Sequence, residues 1–305
     1  MNQYPIRTIA ELTGIPTTTL RAWERRYGLL KPARTPKGHR LYSSEDVELI
    51  KKISSLLKNN HTISEAIRIV RNPQQPGLLT PLPGDQQRSQ DHWGEFQQQM
   101  LNAIEAFNDQ KLDKVYNDAL AIYPIDLVTE QVILPVMKML GQRWRERPAG
   151  IAEEHFFSAF LRNKLGARFH HDTRHSRGRR LLVACLPGEY HELGLLLYCI
   201  AAIGRGYRIL YLGTDTPLAQ IPLVTARSQV SAVLLSGSGR DSWDEQQAAE
   251  LAACIRQLEI PVMLGGELSA SQADRIRQLG ASPLGAEHGP ALDAMEAIVP
   301  AFARS

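Results

Sequence analysis

A histidine with a carboxylate close by marks the segment of the chain best suited to chemistry. Residues 186–194 have the sequence LPGEYHELG, with Glu189 two residues before His191 and Gly194 three residues after it. A carboxylate that accepts a hydrogen bond from one ring nitrogen fixes the tautomer of a ligating histidine. Gly194 leaves room for close approach of another backbone or a ligand. A histidine that opens a helix is more often a surface or capping residue, so both roles stay open at this point.

The elements around this segment alternate between strands and helices. Apolar runs typical of buried strands occupy 180–185, 208–212, 232–236, 261–264 and 282–284, and helices are predicted near 193–203, 218–228, 243–258, 271–279 and 290–302. Five such units predict a flavodoxin-like, doubly wound α/β domain with a parallel sheet over 178–305.

Two further loops are expected at the same edge of this sheet as His191. Ser236 begins a Ser-Gly-Ser-Gly loop after the third strand, and the pair Gly265-Gly266 follows the fourth. Ligands of open parallel sheets bind outside the carboxyl ends of the strands. A Gly-x-Gly-x-x-Gly turn after the first strand is absent, which argues against a dinucleotide. The small residues favour a large ligand whose tail runs between the loops.

The N-terminal segment has the pattern of an all-α, winged helix-turn-helix head. Two stretches with helical spacing, 6–13 and 17–27, are separated by Gly14 and Pro16. Such a head binds DNA through its second helix. The residues assigned to DNA contacts are Thr18, Arg21, Arg25 and Tyr27 on that helix and Lys37, His39 and Arg40 on a wing. A solvated basic helix is the alternative interpretation.

The distribution of charge supports a polyanionic partner for the head alone. Residues 1–71 contain 13 Lys and Arg against 6 Asp and Glu, whereas the rest of the chain contains 22 against 26. A basic segment on a mildly acidic body is typical of nucleic-acid binding by that segment.

The middle of the chain is predicted to be a linker followed by a helical bundle. Proline, glycine and glutamine dominate 72–91, and four helices fit the apolar spacing of 92–172. Trp144 ends one of these helices, and Glu154 and His155 lie early in the next. These three residues could converge on one side of the bundle, or they could be a boundary tryptophan and a surface pair.

Composition places the chain among globular, multidomain proteins. It has 305 residues, 43% hydrophobic and 22% charged, and neither an apolar signal core nor a long uncharged apolar run. We therefore expect a cytoplasmic protein without a membrane segment. Its three cysteines, Cys185, Cys199 and Cys254, lie in apolar contexts and are interpreted as small buried residues.

The head resembles the DNA-binding domain of the MerR family of transcriptional regulators. The resemblance is carried by LRAWERRYGL at 20–29 and by the wing sequence GHRLY at 38–42. It implies binding to palindromic operator DNA as a dimer. The long dimerisation helix usual in that family is missing after residue 71, so oligomer contacts are expected elsewhere.

The remaining motifs resemble a cobalamin-binding signature. Glu189-x-His191-x-x-Gly194, Ser236 and Gly265-Gly266 are similar to the motif of base-off cobalamin enzymes, with Glu189 where Asp is usual. Trp144 followed after nine residues by Glu154-His155 resembles the cap of the photoreceptor repressors of the CarH and LitR group.

This second resemblance implies a function for each part of the chain. His191 would ligate cobalt from below, and Trp144, Glu154 and His155 would cover the upper adenosyl group. Adenosylcobalamin would hold an oligomer, a dimer or tetramer, on operator DNA, and light would release it. Light sensors of the group have a histidine after the cap tryptophan, where this chain has Arg145. We hypothesise that His155 takes its place.

Two other functions of the whole chain are also consistent with the sequence. The first is a regulator that senses cobalamin without light or uses no cobalamin. The second is a cobalamin-dependent methyltransferase or mutase fragment, which would need a substrate-activating domain that does not fit in this length. A regulator without enzymatic activity is the reading that we favour.

Overall fold

A computed structural model describes residues 3–35, 38–59, 61–71, 85–143, 147–173, 176–238 and 244–301, without the side chains of Glu11, Thr18, 85–91 and 171–173. The chain divides into two compact units, Met1–Phe157 and Ser158–Ser305. Helix α9 (Gly150–Thr173) crosses this division.

The head consists of four helices and a small sheet. The helices are α1 (Ile6–Thr13), α2 (Thr17–Tyr27), α3 (Ser44–Lys58) and α4 (Ile63–Arg71). The strands are β1 (Tyr4–Pro5), β2 (Ala33–Arg34) and β3 (Arg40–Tyr42), paired antiparallel in the order β1-β3-β2. The sequence had predicted an all-α head, and these strands show that this prediction was wrong. Strands of two or three residues are too short to show an alternating pattern in the sequence.

Local sequence explains where the helices of the head begin and end. Gly14 and Gly28 follow α1 and α2 with left-handed backbones, φ 70° and 55°, which glycine adopts without steric cost. Ser43 and Asp46 form a capping box that starts α3. Trp23 is fully buried, and its indole N–H donates to the carbonyl of Ile122 at 2.7 Å. Helix α2 is thus tied to the helical segment that follows the head.

That helical segment contains α5 (Asp85–Glu105), α6 (Asp109–Ile122), α7 (Ile125–Val128), a π-helical turn (Thr129–Ile133), α8 (Leu134–Arg143) and the first part of α9. Helix α5 begins inside the segment predicted as a linker. Residues 85–91 contain neither proline nor glycine, so their sequence does not oppose a helix. Residues 72–84 of the predicted linker lie outside the described residues.

The second unit is built around a five-stranded parallel sheet. Its strands are β4 (Arg180–Cys185), β5 (Arg208–Gly213), β6 (Ala232–Ser236), β7 (Val262–Gly265) and β8 (Ser282–Gly285), in the order β5-β4-β6-β7-β8. This order, with its reversal between the first two strands, is that of flavodoxin-like sheets. The sequence had predicted each strand to within one residue of its bounds.

Helices cover both faces of this sheet. The helices are α10 (Leu193–Gly204), α11 (Ile221–Arg227), α12 (Glu245–Arg256), α13 (Glu267–Ser271), α14 (Ala273–Gln278) and α15 (His288–Ile298). Leu181 and Val183 of β4 face one buried core with residues of α10 and α15, whereas Leu182 and Ala184 face the other. The strands have continuous apolar sequences because both faces of the sheet are buried. The three cysteines are buried and unpaired.

Candidate functional site

The loop between β4 and α10 presents His191 at the carboxyl edge of the sheet. The side chain of His191 is 58% exposed, whereas that of Glu189 is only 9% exposed. Oxygen Oε1 of Glu189 lies 2.7 Å from Nδ1 of His191 and accepts the His191 backbone N–H at 2.8 Å. The carboxylate therefore holds both the backbone and the ring of the histidine, so Nε2 is the ring atom that would bind a metal.

The other oxygen of Glu189 is held by the neighbouring loop. The backbone N–H of Ser238 donates to Oε2 of Glu189 at 2.6 Å. Burial acts to raise the pKa of Glu189, but hydrogen bonds from Ser238 and His191 outweigh it and hold this pKa below its ordinary value. Glu189 is thus an ionised acceptor that joins the loop after β4 to the loop after β6, although Asp is the more usual residue at this position of the motif.

The two glycine-containing loops lie side by side at this edge. The Gly237 N–H donates to the Gly265 carbonyl at 3.3 Å. Gly266 has φ 88°, and a Cβ there would collide with the Gly237 carbonyl oxygen and lie 3.2 Å from Oγ of Ser236. Ser236, Gly265 and Gly266 are therefore brought together as the sequence predicted, and Gly266 is required for the loops to approach each other.

Gly194 lies at the start of α10 with space around it. No atom of the described residues is within 4 Å of the position that a Cβ on Gly194 would take, apart from its neighbours in the chain and in the helix. Its carbonyl lies 3.0 Å from Nε2 of His288. Burial lowers the pKa of His288, and this hydrogen bond opposes the shift. A side chain at position 194 would fill this space beside the histidine loop.

Sequence reasoning missed two carboxylates that hold the histidine loop. Asp215, after β5, accepts the Gly188 N–H at 2.8 Å and the Tyr190 hydroxyl at 3.2 Å. Glu192 pairs with Arg162 of α9 at 2.8 Å and accepts the Tyr211 hydroxyl at 2.8 Å. The position of Asp215 after the second strand, at the ligand edge of the sheet, was the signal that could have identified it.

The predicted cap residues lie in the first unit. Glu154 is half-buried and His155 is exposed, with 3.7 Å between Oε2 of Glu154 and Nε2 of His155. The structure brings this pair together on the first turns of α9. Trp144 and Arg145 lie outside the described residues.

The second helix of the head presents its basic residues to solvent. Arg21 and Arg25 are exposed on α2, and His39 is exposed in the hairpin between β2 and β3. Arg40 is paired with Glu24 of α2 at 2.8 Å, so its charge is already engaged within the head. Tyr27 is half-buried at the end of α2, and burial raises the pKa of its phenol. Lys37 and the side chain of Thr18 lie outside the described part of the chain.

The chemistry of the His191 site fits a metal that arrives with most of its ligands. One imidazole holds a bare cation weakly, but it can complete the coordination of cobalt already bound by a macrocycle. The ring is exposed, its orientation is fixed by a buried carboxylate, and the backbone beside it at Gly194 is open. The residues present therefore fit cobalamin as the predicted cofactor.

Two protein families match separate parts of the chain. Residues 4–72 match the MerR HTH family of regulatory proteins, and residues 96–168 match the B12 binding domain. The fold is similar to that of the monomethylamine corrinoid protein of Methanosarcina barkeri, with a TM-score of 0.51, 19% identity, and coverage of 67% of this chain and 98% of that one. Fold, site and family matches together define a cobalamin-binding regulator of the MerR type.

Full-length relatives narrow this class to one family. The chain is 31% identical over 274 residues to the HTH-type transcriptional repressor CarH of Myxococcus xanthus, covering 88% of this chain and 90% of that protein. It is also 31% identical over 279 residues to the repressor CarA of the same organism, with coverages of 90% and 91%. The chain belongs to the CarH and CarA family of transcriptional repressors. Within the described residues, no helix is long and apolar enough to cross a membrane.

Proposed function

We propose that this protein is a light-responsive repressor that binds operator DNA as a homo-oligomer when adenosylcobalamin is bound. The observation that carries the proposal is the His191 site, in which a buried, ionised Glu189 fixes the ring of an exposed histidine. When bound, adenosylcobalamin supplies a cobalt–carbon bond that light can cleave. The protein would contribute His191 as a ligand of the cobalt, and Glu189 would orient the His191 ring.

The lower face of the cofactor is assigned to the second unit. His191 would bind cobalt through Nε2, and Glu189 would keep the proton of the ring on Nδ1. Ser236, Gly265 and Gly266 lie at the sheet edge where the cofactor tail is expected. None of these roles requires a large movement of the loop, because its hydrogen bonds are already in place.

The upper face is assigned to three residues of the helical segment. Trp144 would stack over the adenosyl group, and Glu154 would accept a hydrogen bond from its ribose. Loss of the adenosyl group would then remove contacts that exist in one state only, which is the requirement for a ligand to shift an equilibrium between assemblies. His155, beside Glu154 on α9, is the candidate upper ligand after illumination, because Arg145 stands at the usual histidine position.

DNA binding is assigned to the head. Arg21 and Arg25 are exposed on α2 and would contact base edges or phosphates in the major groove, with Thr18 and Tyr27 on the same helix. The hairpin would place three further residues along the phosphate backbone of the DNA: Lys37, His39 and Arg40. Arg40 would have to exchange its ion pair with Glu24 for a phosphate, so we expect it to contribute less than Arg21.

The test is the visible spectrum of the purified protein with adenosylcobalamin, recorded with its size-exclusion elution before and after green light. We expect retained pigment, a spectral change on illumination and a shift to smaller size. His191→Ala should lose the pigment, whereas the control His170→Ala, which replaces another exposed histidine of the second unit, should retain it. Absence of pigment from the wild-type protein would contradict the proposal.

A second candidate function is cobalamin sensing without light. Arg145, in the position of the histidine typical of light sensors in this family, favours it. Its signature in the same experiment is retained pigment with a size that depends on cobalamin but not on illumination.

A further inference from the structure

Asp215 has a left-handed backbone conformation that residues other than glycine rarely adopt. Its φ is 47°, and Phe107 is the other non-glycine residue with positive φ in the part of the chain that the structure describes. Asp215 follows β5, in the loop that leaves the sheet beside the histidine loop. A strained backbone at the ligand edge of a sheet points to a local purpose.

The side chain and backbone of Asp215 hold three successive residues of the histidine loop. Oδ1 accepts the Gly188 N–H at 2.8 Å, and Oδ2 accepts the Tyr190 hydroxyl at 3.2 Å. The Asp215 N–H donates to the Glu189 carbonyl at 3.0 Å. The left-handed conformation lets one residue direct both its carboxylate and its own N–H at the same loop.

The loop is also held from its opposite side, through Glu189. The Glu189 carboxylate binds Ser238 at 2.6 Å and His191 at 2.7 Å, while its carbonyl is bound by Asp215. The residue that orients the imidazole is therefore itself fixed at both its side chain and its backbone. Asp215 holds the Glu189 carbonyl, and the Leu186 carbonyl accepts the Glu189 N–H at 3.0 Å.

We propose that Asp215 is a positioning residue for His191: it fixes the loop 188–190 so that the imidazole is in its ligating position before cobalamin binds. The inference rests on the proposed function, since it takes His191 to be the cobalt ligand. Ordering the loop in advance removes an entropic cost from binding. Without Asp215, the loop must be ordered by the cofactor, and cobalt ligation by His191 becomes incomplete.

Three substitutions separate the carboxylate of Asp215 from its backbone strain. Asp215→Ala removes both side-chain hydrogen bonds and keeps the strain. Asp215→Gly removes the same bonds but accepts the positive φ without strain. Asp215→Asn tolerates the conformation and keeps an acceptor for the Gly188 N–H. Asp274→Ala, at an exposed aspartate paired with Arg277, is the matched control.

The first readout is hydrogen exchange in the cofactor-free protein. We expect Asp215→Ala and Asp215→Gly to accelerate exchange in peptides covering 186–192, with unchanged exchange in the strands β6 and β7. Asp215→Asn and Asp274→Ala should behave as the wild type. Unchanged exchange of the loop in Asp215→Ala and Asp215→Gly would overturn the inference, whether or not the protein binds cobalamin.

The second readout is titration with adenosylcobalamin in the dark, followed by absorbance. We expect Asp215→Ala and Asp215→Gly to raise Kd about tenfold, since each loses two hydrogen bonds to a charged acceptor. Their spectra should also shift from the histidine-ligated form toward the form with the cofactor's own base bound. Wild-type affinity and spectrum in both variants would overturn the inference. If the wild-type protein retained no pigment but the loop exchanged faster in these variants, only the proposed function would be contradicted.

Discussion

At the scale of single residues, the hydrogen bond between Glu189 and His191 is the interaction on which the proposed ligation of cobalt depends. Glu189→Gln keeps the size of the side chain but removes its charge, so it holds the Nδ1 proton less strongly. We predict that this variant raises the Kd for adenosylcobalamin by about tenfold, the lower range for loss of a residue behind a metal-binding histidine. Titration followed by absorbance measures the change.

Glu189→Asp is the informative partner of that variant, because Asp is the usual residue in the motif. The shorter side chain cannot reach both His191 and Ser238 without movement of the loop, since Glu189 now spans 2.7 Å and 2.6 Å bonds on its two sides. We expect an affinity between those of Glu189→Gln and the wild type. An affinity of Glu189→Gln equal to that of the wild type would show that the charge has no role in ligation.

How much of the site could be predicted depended on how local each contact is. His191 and Glu189 are two residues apart, and the position of a loop after a strand is sufficient to single them out. Asp215 contacts the same loop from 25 residues further along the chain, through a left-handed backbone that no spacing reveals. The contacts of Glu192 are also distant in sequence. Its partners, Arg162 and Tyr211, lie on a helix before it and on a strand after it.

At the scale of elements, helix α2 has an exposed basic face, which we propose binds DNA, and a buried face that contacts the helical segment. Trp23 is fully buried with its N–H bonded to Ile122, and Arg25, two residues on, is exposed. We predict that Trp23→Phe lowers the free energy of unfolding by about 1–3 kcal/mol, because it leaves a carbonyl without its donor. Chemical denaturation of the cofactor-free protein measures this.

Arg25→Ala is the matched control on the same helix. It should leave the free energy of unfolding within about 0.5 kcal/mol of the wild type, as is usual for exposed positions. Its effect should appear instead in the affinity for operator DNA. A loss of stability in Arg25→Ala equal to that in Trp23→Phe would contradict the assignment of the two faces.

The contact between α5 and Tyr123, at the end of α6, predicts a dependence of stability on pH. His92 lies 2.8 Å from the Tyr123 hydroxyl, among Trp93, Phe96 and Tyr123, with Glu95 and Glu65 as the nearby charges. Burial lowers the pKa of His92 below 6.5, and the two glutamates oppose this shift less strongly. The folded protein then binds fewer protons at this site than the unfolded chain between the lowered pKa and 6.5, so stability falls as the pH falls through that range.

We predict that His92→Gln weakens this dependence. Unfolding of the cofactor-free protein at pH 7.5 and at pH 5 should show a smaller loss of stability in the variant than in the wild type. His170→Ala, at an exposed histidine of α9, serves as the control and should keep the wild-type slope. An identical slope in all three proteins would remove His92 as its cause.

The elements were predictable where one periodicity extends over many residues. The strands of the second unit are continuous apolar runs between glycines and helices, and their bounds were predicted closely. The π-helical turn Thr129–Ile133 was not, because it interrupts an otherwise regular helix and depends on a distant partner. Gln97 of α5 donates to the Gln131 carbonyl in that turn at 2.7 Å.

At the scale of the whole molecule, the head and the remainder of the chain differ in net charge. The head has an excess of basic residues, and the remainder of the chain is mildly acidic. We predict that operator affinity falls steeply with salt and that Arg21→Ala reduces both the affinity and the slope, by about one unit if Arg21 contacts a phosphate. Arg256→Ala, in α12 of the second unit, should change neither quantity. Fluorescence anisotropy with a DNA enriched from random sequence by the protein itself provides both numbers.

Cofactor binding and DNA binding are expected to be linked through assembly of copies of the chain. If cobalamin acts by joining copies of the chain, it raises the local concentration of one head when another is bound. Adenosylcobalamin in the dark should then tighten binding to a DNA with two half-sites, and light or His191→Ala should abolish the gain. Binding to a single half-site should be the same with and without cofactor, because the contacts of the α2 helix with DNA do not change. An equal gain on the single half-site would show that cobalamin alters the head itself, through contacts such as that of Trp23 with Ile122.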